Sequence, residues 1–223
     1  MRFVAAAAVT ALLLTGCSAF GGGDTPDPEP TAPSTTAPTS AGEPLTQEQV
    51  DLAVPTFAEW GPSDPLGAGD LTNATITPAA CQRFVDEMLD SEPTYTATDS
   101  LSQGAFGPFL ELTVSTYHDQ PPSTENVADF DEVLADCPEM NVVGPDGDFT
   151  FAVSPLSFPN LGDETVALRL KGQVSFFPIT VDVATVIVGN NTYSATQVNT
   201  GNATSREDMV VALEATMANV AAG

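Results

Sequence analysis

The second half of the chain alternates. From Asp148 onward apolar side chains fall at every second position in Phe149-Phe151-Val153, Val166-Leu168-Leu170, Val174-Phe176 and Ile179-Val181-Val183. Val186-Ile187-Val188 and the run from Tyr193 to Val198 extend the series. A period of two sends successive side chains to opposite faces of a pleated strand, so these runs predict strands. Asp146-Gly147, Leu161-Gly162-Asp163 and Gly189-Asn190 separate several of them with turn-forming residues. One earlier segment behaves alike: in 109–116, Leu110, Leu112 and Val114 face one way, and Glu111, Thr113 and Ser115 the other.

Elsewhere the spacing is helical. Thr46 with Gln49 reads as a capping box, with Leu45 and Val50 as its hydrophobic staple. Val50, Val54, Phe57 and Trp60 continue an apolar stripe that Pro55 bends or ends. Thr77-Pro78 opens a second helix, with Cys81, Phe84, Val85, Met88 and Leu89 on one face. Ser123 or Thr124 starts a third, carrying Val127, Phe130, Leu134 and Cys137 as far as Pro138. Thr204 with Glu207 caps the last, whose stripe is Val210, Leu213, Met217 and Val220. Helices, then strands, then a closing helix predict an α+β fold. The expected architecture is an antiparallel sheet of about five to six strands with helices packed on one face and a C-terminal helix.

The N-terminal residues say where such a domain would live. Arg2, an apolar run from Phe3 to Leu14 and the ending Leu14-Thr15-Gly16-Cys17 make an export signal. The ending resembles the bacterial lipobox, in which the leader is cut before the cysteine and its thiol receives a diacylglycerol. The apolar run is shorter than the roughly 20 residues a helix needs to cross a bilayer. Acyl chains, at about 0.8 kcal/mol per buried methylene, would hold the protein on the membrane durably. Six prolines among Ser, Thr, Ala and Gly then fill 18–44, which marks a disordered tether. The expected organisation is a signal peptide over 1–16, lipidated Cys17 with its tether over 17–44, and a folded domain over 45–223.

Charge narrows the partners. Five bases stand against thirty acids, a formal net charge of −25. Such a surface repels phosphate backbones and anionic headgroups, which excludes nucleic acid as a partner. With Cys17 lipidated, Cys81 and Cys137 remain in an oxidising setting and are expected to pair. The alternatives, a metal pair or a nucleophile, would want a nearby histidine or basic groups.

Little else points to chemistry. His118 is the one histidine, and Ser115, Ser123 and Asp119 near it lie in no nucleophile elbow. A histidine just past a strand reads as a surface or capping residue. Asp146-x-Asp148 lacks the remaining ligands of a calcium loop and reads as a hairpin turn. With thirty acids, some carboxylate pair is always close, so paired-carboxylate chemistry gains no support from spacing. No catalytic residue, metal site or cofactor is expected.

The order of motifs resembles the PknH-like extracellular (sensor) domain of actinobacterial lipoproteins and receptor kinases. The resemblance is carried by the lipobox and tether, Leu45-Thr46, Thr77-Pro78-Ala79-Ala80-Cys81 and Asp136-Cys137-Pro138. It continues through Pro159-Asn160-Leu161-Gly162-Asp163-Glu164 and Val188-Gly189-Asn190. It implies a helix-and-antiparallel-sheet domain with a cleft for an unidentified envelope ligand. Members of that family often carry two disulfides, whereas this chain has cysteines for one. With neither a kinase domain nor a membrane-spanning helix expected, a sensing role would need an envelope protein partner to carry the signal.

The leading expectation is therefore a cell-surface lipoprotein on the extracellular face of the membrane, with a non-enzymatic, sensor-like ligand-binding domain. Its cleft is expected around Trp60, Phe176, Phe177 and Ile179, because the sheet is more apolar there than one covered face requires. A lipid or apolar small-molecule carrier is the alternative, and it demands a cavity above roughly 300 Å³. A carboxylate-dependent hydrolase is the third reading and demands acids converging with His118.

Overall fold

A computed structural model describes residues 42–64, 74–89, 92–118, 130–144, 147–174, 177–200 and 206–222. The chain divides into two compact units, 1–36 and 37–223, and the description concerns the second. The signal peptide, Cys17, most of the tether and Phe176 lie outside the described residues.

Four helices and nine strands are described. The helices are α1 (Gln47–Ala53), α2 (Ala79–Leu89), α3 (Phe130–Asp136) and α4 (Arg206–Ala222). The strands are β1 (Gly61–Pro62), β2 (Thr75–Thr77), β3 (Tyr95–Ser102), β4 (Phe109–Thr116) and β5 (Glu139–Gly144), then β6 (Gly147–Pro155), β7 (Glu164–Val174), β8 (Phe177–Val188) and β9 (Asn191–Thr200). They form one sheet in the order β1-β3-β4-β9-β8-β7-β6-β5-β2, antiparallel at every pairing.

The strand count exceeds the expected five to six. β1 and β2 are too short to show a period. β3 reads YTATDSLS, in which Asp99 interrupts the covered set of Tyr95, Ala97 and Leu101. β5 lies in Glu139-Met140-Asn141-Val142-Val143-Gly144, whose apolar content is too brief to stand out. Conversely, Val174 ends β7 and pairs with Phe177 at the start of β8, and Phe176 of the expected Val174-Phe176 run lies outside the described residues.

The helices also pack on both faces, not on one. Register fixes the sides. Leu112, Ala195, Ala184 and Ala167 are cross-strand partners in turn, and all face α1 and α4. The alanines lie flush with the pleat, so Met209, Ala212 and Leu213 of α4 settle directly on the sheet. Carried one residue over, the same register puts Leu170, Phe151, Val153, Met140, Val142 and Ile76 on the opposite face. There they meet Cys81 and Val85 of α2 and Cys137 at the end of α3 in a second core. Cys81 and Cys137 are bonded, with Cα atoms 5.2 Å apart and both residues fully buried.

The first helix starts where the sequence predicts, whereas the starts expected at Ser123 or Thr124 and at Thr204 lie outside the described residues. Thr46 and Gln49 complete the capping box, and Leu45 and Val50 are buried in one core. α1 ends at Ala53, before Pro55, because a proline there has no N–H for the helix and clashes with the preceding turn. Trp60 therefore follows the helix and packs from a loop against the first core.

Candidate functional site

Among the described residues, helices on opposite faces of opposite halves leave each half with a side that no helix covers. The side of β3, β4, β9 and β8 that faces away from α1 and α4 is the more distinctive. Its residues alternate with the buried set, and on β3, β4 and β9 they are largely hydroxyls. Across β3 and β4, Thr96 pairs with Ser115 and Thr98 with Thr113, each at 3.0 Å. Ser100 donates to Glu111 at 3.0 Å, and Thr185 pairs with Ser194 at 2.9 Å across β8 and β9. Beside them on β8 run Ile179, Val181 and Val183, half-buried. Along these four strands Glu111 is the one charged side chain on this face. A nearly neutral surface with an apolar stripe beside a field of hydroxyls can take a ligand that has both kinds of edge.

The cleft expected from the sequence is not gathered in one place. Ile179 and Phe177 share the hydroxyl-bearing face, and Phe177 is 69% exposed. Trp60 packs against the first core on the other side of the sheet. The helical stripe that would align Trp60 with the core residues ends with α1 at Ala53, before Pro55. Phe176 lies outside the described residues.

The covered face holds a polar row that the alternating pattern concealed. On β8 the residues turned toward α4 are Thr180, Asp182, Ala184 and Val186, while the apolar Ile179-Val181-Val183 set lines the open side. Asp182 is fully buried, and Arg169 of β7 clasps it, Nε donating to Oδ1 at 2.6 Å and Nη2 to Oδ2 at 2.7 Å. That hydrogen-bonded pairing raises the Arg169 pKa further above its ordinary range. Gln197 stands directly across from Asp182, and Asn199 across from Thr180. Both amide atoms of Gln197 and the Asn199 Nδ2 are buried without a hydrogen-bond partner. Native interiors pair nearly all such groups. The signal available in the sequence was Asp182, Gln197 and Asn199 at the inward phase of otherwise apolar strands.

The motifs at the other end of the sheet are structural. Gly162 packs so closely that a Cβ would come within 2.5 Å of the Ile187 carbonyl oxygen. Asp163 accepts from Gly189 N at 2.8 Å, and Gly189 adopts φ +54° where a Cβ would run into Gly42. Asn190 N donates to Gly42 O, and Asn191 Nδ2 to Glu43 O, both at 2.9 Å. Thr116 donates to Asn191 Oδ1 at 2.7 Å while accepting from Leu45 N at 2.9 Å. The two late motifs thus hold the incoming chain against the β8–β9 turn. Nearby lies an apolar pocket of about 190 Å³ lined by Leu45, Leu161, Val188, Met217, Val220 and Tyr193. Burial pushes the Tyr193 phenol up to about 12. A wider recess of about 810 Å³, lined by Ser63, Asp64, Ser102 and Phe109 among others, opens at the far end.

His118 serves the same lower seam. Its Nε2 lies 3.1 Å from the Leu45 carbonyl oxygen, and its ring meets Tyr95 edge-on at 5.4 Å. Asp119 and Ser123 lie outside the described residues. Among the described residues no group of three His, Cys, Asp or Glu could hold a metal ion. None of the described helices is long and apolar enough to cross a membrane.

No protein-family model matches the sequence, and no curated protein sequence matches it. Among solved structures the chain is similar to the extracellular domain of PknH from Mycobacterium tuberculosis, with a TM-score of 0.58 and 10% identity. The match covers 82% of this chain and the whole of that domain. At that identity the likeness establishes a shared fold.

Proposed function

We propose that this chain is an exported lipoprotein, held on the outer face of the membrane through Cys17, whose domain binds an envelope ligand without transforming it. Several observations support the reading. The lipobox-like ending and the Pro/Thr tether precede the domain directly. A buried disulfide suits an oxidising compartment. The fold is shared with a domain that is extracellular in another protein.

The open, hydroxyl-bearing sheet face is the observation that carries the ligand-binding part. The carrier alternative is less well supported, since the 190 Å³ pocket falls below the roughly 300 Å³ that small-molecule sites begin at, and the larger recess opens to solvent. For the hydrolase, His118 is engaged with the Leu45 carbonyl and Asp182 with Arg169. Transmission of any signal falls to an envelope protein partner.

Native mass spectrometry of the gently extracted full chain tests the reading. The wild type is expected to carry a non-covalent adduct that Thr113→Arg and Thr196→Arg on the open face both remove. An adduct indifferent to both substitutions, or none from any envelope extract, would overturn it.

A further inference from the structure

Antiparallel pairing sorts every turn of the sheet to one of two ends. The lower end holds the β8–β9 turn, the close of β4 and the point where the chain enters the domain at Gly42. At the upper end lie the β3–β4 loop, the β5–β6 and β7–β8 hairpins and the close of β9. Strand β8 separates them by roughly 36 Å at about 3.3 Å per residue.

Of the five exposed large apolar side chains among the described residues, Leu52 lies on α1 and Val211 on α4, and the other three, including both exposed phenylalanines, lie at the upper end. Phe106 in the β3–β4 loop is 84% exposed, Phe177 at the head of β8 69%, and Val143 near the end of β5 51%. The Phe106 loop is tied down: Thr200 Oγ1 donates to the Phe106 carbonyl at 2.6 Å, and Gly107 N to Gly104 O at 3.1 Å. The loop backbone is therefore held in place, and the ring it carries is exposed. Three strand spacings, roughly 14 Å, divide the β3–β4 tip from the β7–β8 tip.

The dimensions decide what such a tip can meet. Two separated phenylalanines offer on the order of 300 Å² of apolar area, far below the roughly 1,200 Å² of a stable protein interface. Phe106 and Phe177 sit on separate hairpins, and neither lines the recess beside the β3–β4 loop, whose walls are Ser63, Asp64, Ser102, Gly104 and Phe109 among others, so the two rings do not build a shared groove for a partner side chain. An apolar medium without shape needs neither area nor groove. Charge then selects the surface, because a chain of net charge −25, with Asp64 beside the β3–β4 loop and Asp148 opposite Val143, is repelled by anionic headgroups.

We propose that the end of the domain opposite its chain entrance is a lipid-contacting tip, at which Phe106 and Phe177 enter the acyl region of an uncharged or zwitterionic lipid layer. The contact is independent of acylation at Cys17. It uses only the Phe177 edge of the open sheet face and leaves the hydroxyls of β3, β4 and β9 free, so the domain can bind its ligand while bridging from its tether to a lipid surface.

The test places a reporter at each tip in the full chain carrying Cys17→Ser. Phe106→Trp, Phe177→Trp and, as a control exposed on α1, Leu52→Trp are mixed with phosphatidylcholine vesicles whose acyl chains carry bromine. Quenching and a blue shift are expected at 106 and 177 and not at 52, weakening as phosphatidylglycerol replaces phosphatidylcholine at low salt. Phe106→Ser with Phe177→Ser is expected to lower partitioning by more than about 100-fold, given the apolar area removed. Equal quenching at all three positions, or none at 106 and 177, overturns the proposal. A blue shift without vesicles, accompanied by a doubled mass, would make the tip a self-association surface and overturn it equally. Acylation at Cys17 does not bear on these outcomes, so failure here leaves the anchor reading standing.

Discussion

Removing the disulfide asks whether the two cores are one cooperative structure. Cys81 and Cys137 are 56 residues apart in sequence. Freeing a loop of that length from the unfolded ensemble costs about 4 kcal/mol in the chain-entropy description. The sulfurs sit among Ile76, Val85, Met140 and Val142, so Cys81→Ala with Cys137→Ala adds a small packing loss. Against a total stability of about 5–15 kcal/mol, that is a large fraction. In urea, with a slope of about 2 kcal/mol per molar, the midpoint should fall by roughly 2 M. Trp60 makes the assay informative, because it lies in the first core, on the other face of the sheet from the bridge. β7 and β8 join the two halves along their whole length, from Glu164–Ile187 to Val174–Phe177. Trp60 fluorescence and far-ultraviolet dichroism should therefore shift together. A Trp60 transition that stays in place, or a combined loss under about 1 kcal/mol, would refute the reasoning.

Arg169→Met should destabilise the fold by about 3–5 kcal/mol, because it strands the buried Asp182 carboxylate. Adding Asp182→Leu should restore most of that in thermal unfolding, and no restoration would mean the loss came from packing. Gln197→Met should be neutral or stabilising by denaturant titration, since neither amide atom has a partner to lose; a cost above about 2 kcal/mol would mean the amide is held by a group bound there. Tyr193 links stability to alkaline pH. Its phenol ionises near 10.0 when unfolded and about 12 when folded, so above pH 10 the unfolded chain holds fewer protons. Stability should then decline from pH 10 to pH 12, and Tyr193→Phe should remove that part of the decline.

The elements legible in the sequence are those with a regular period or a local capping signal. The capping box at Thr46, the inward Cys81 and Cys137, and strand β4 follow from local rules. β3 is harder to see because Asp99 falls among Tyr95, Ala97 and Leu101 on its covered side and interrupts the alternation that marks a strand. The side of β8 was harder. Ile179, Val181 and Val183 are its apolar set, yet the helix-covered set contains Asp182, which Arg169 neutralises from the next strand. A pairing between strands thirteen residues apart has no signature in the period of either one. For the same reason Trp60 and Ile179 were grouped, although the sheet stands between them. Gly162, Asp163 and Gly189 were visible as turn residues, but their grip on the incoming chain depends on tertiary contact.

The account rests on a folded recognition domain leashed by fatty acids outside the cell. Intact-mass measurement of the protein extracted from membranes addresses that in one spectrum. The predicted species begins at Cys17, carries a thioether-linked diacylglycerol, and has Cys81 and Cys137 oxidised to each other. A chain that keeps its leader, begins elsewhere, or shows an unmodified Cys17 thiol would contradict it.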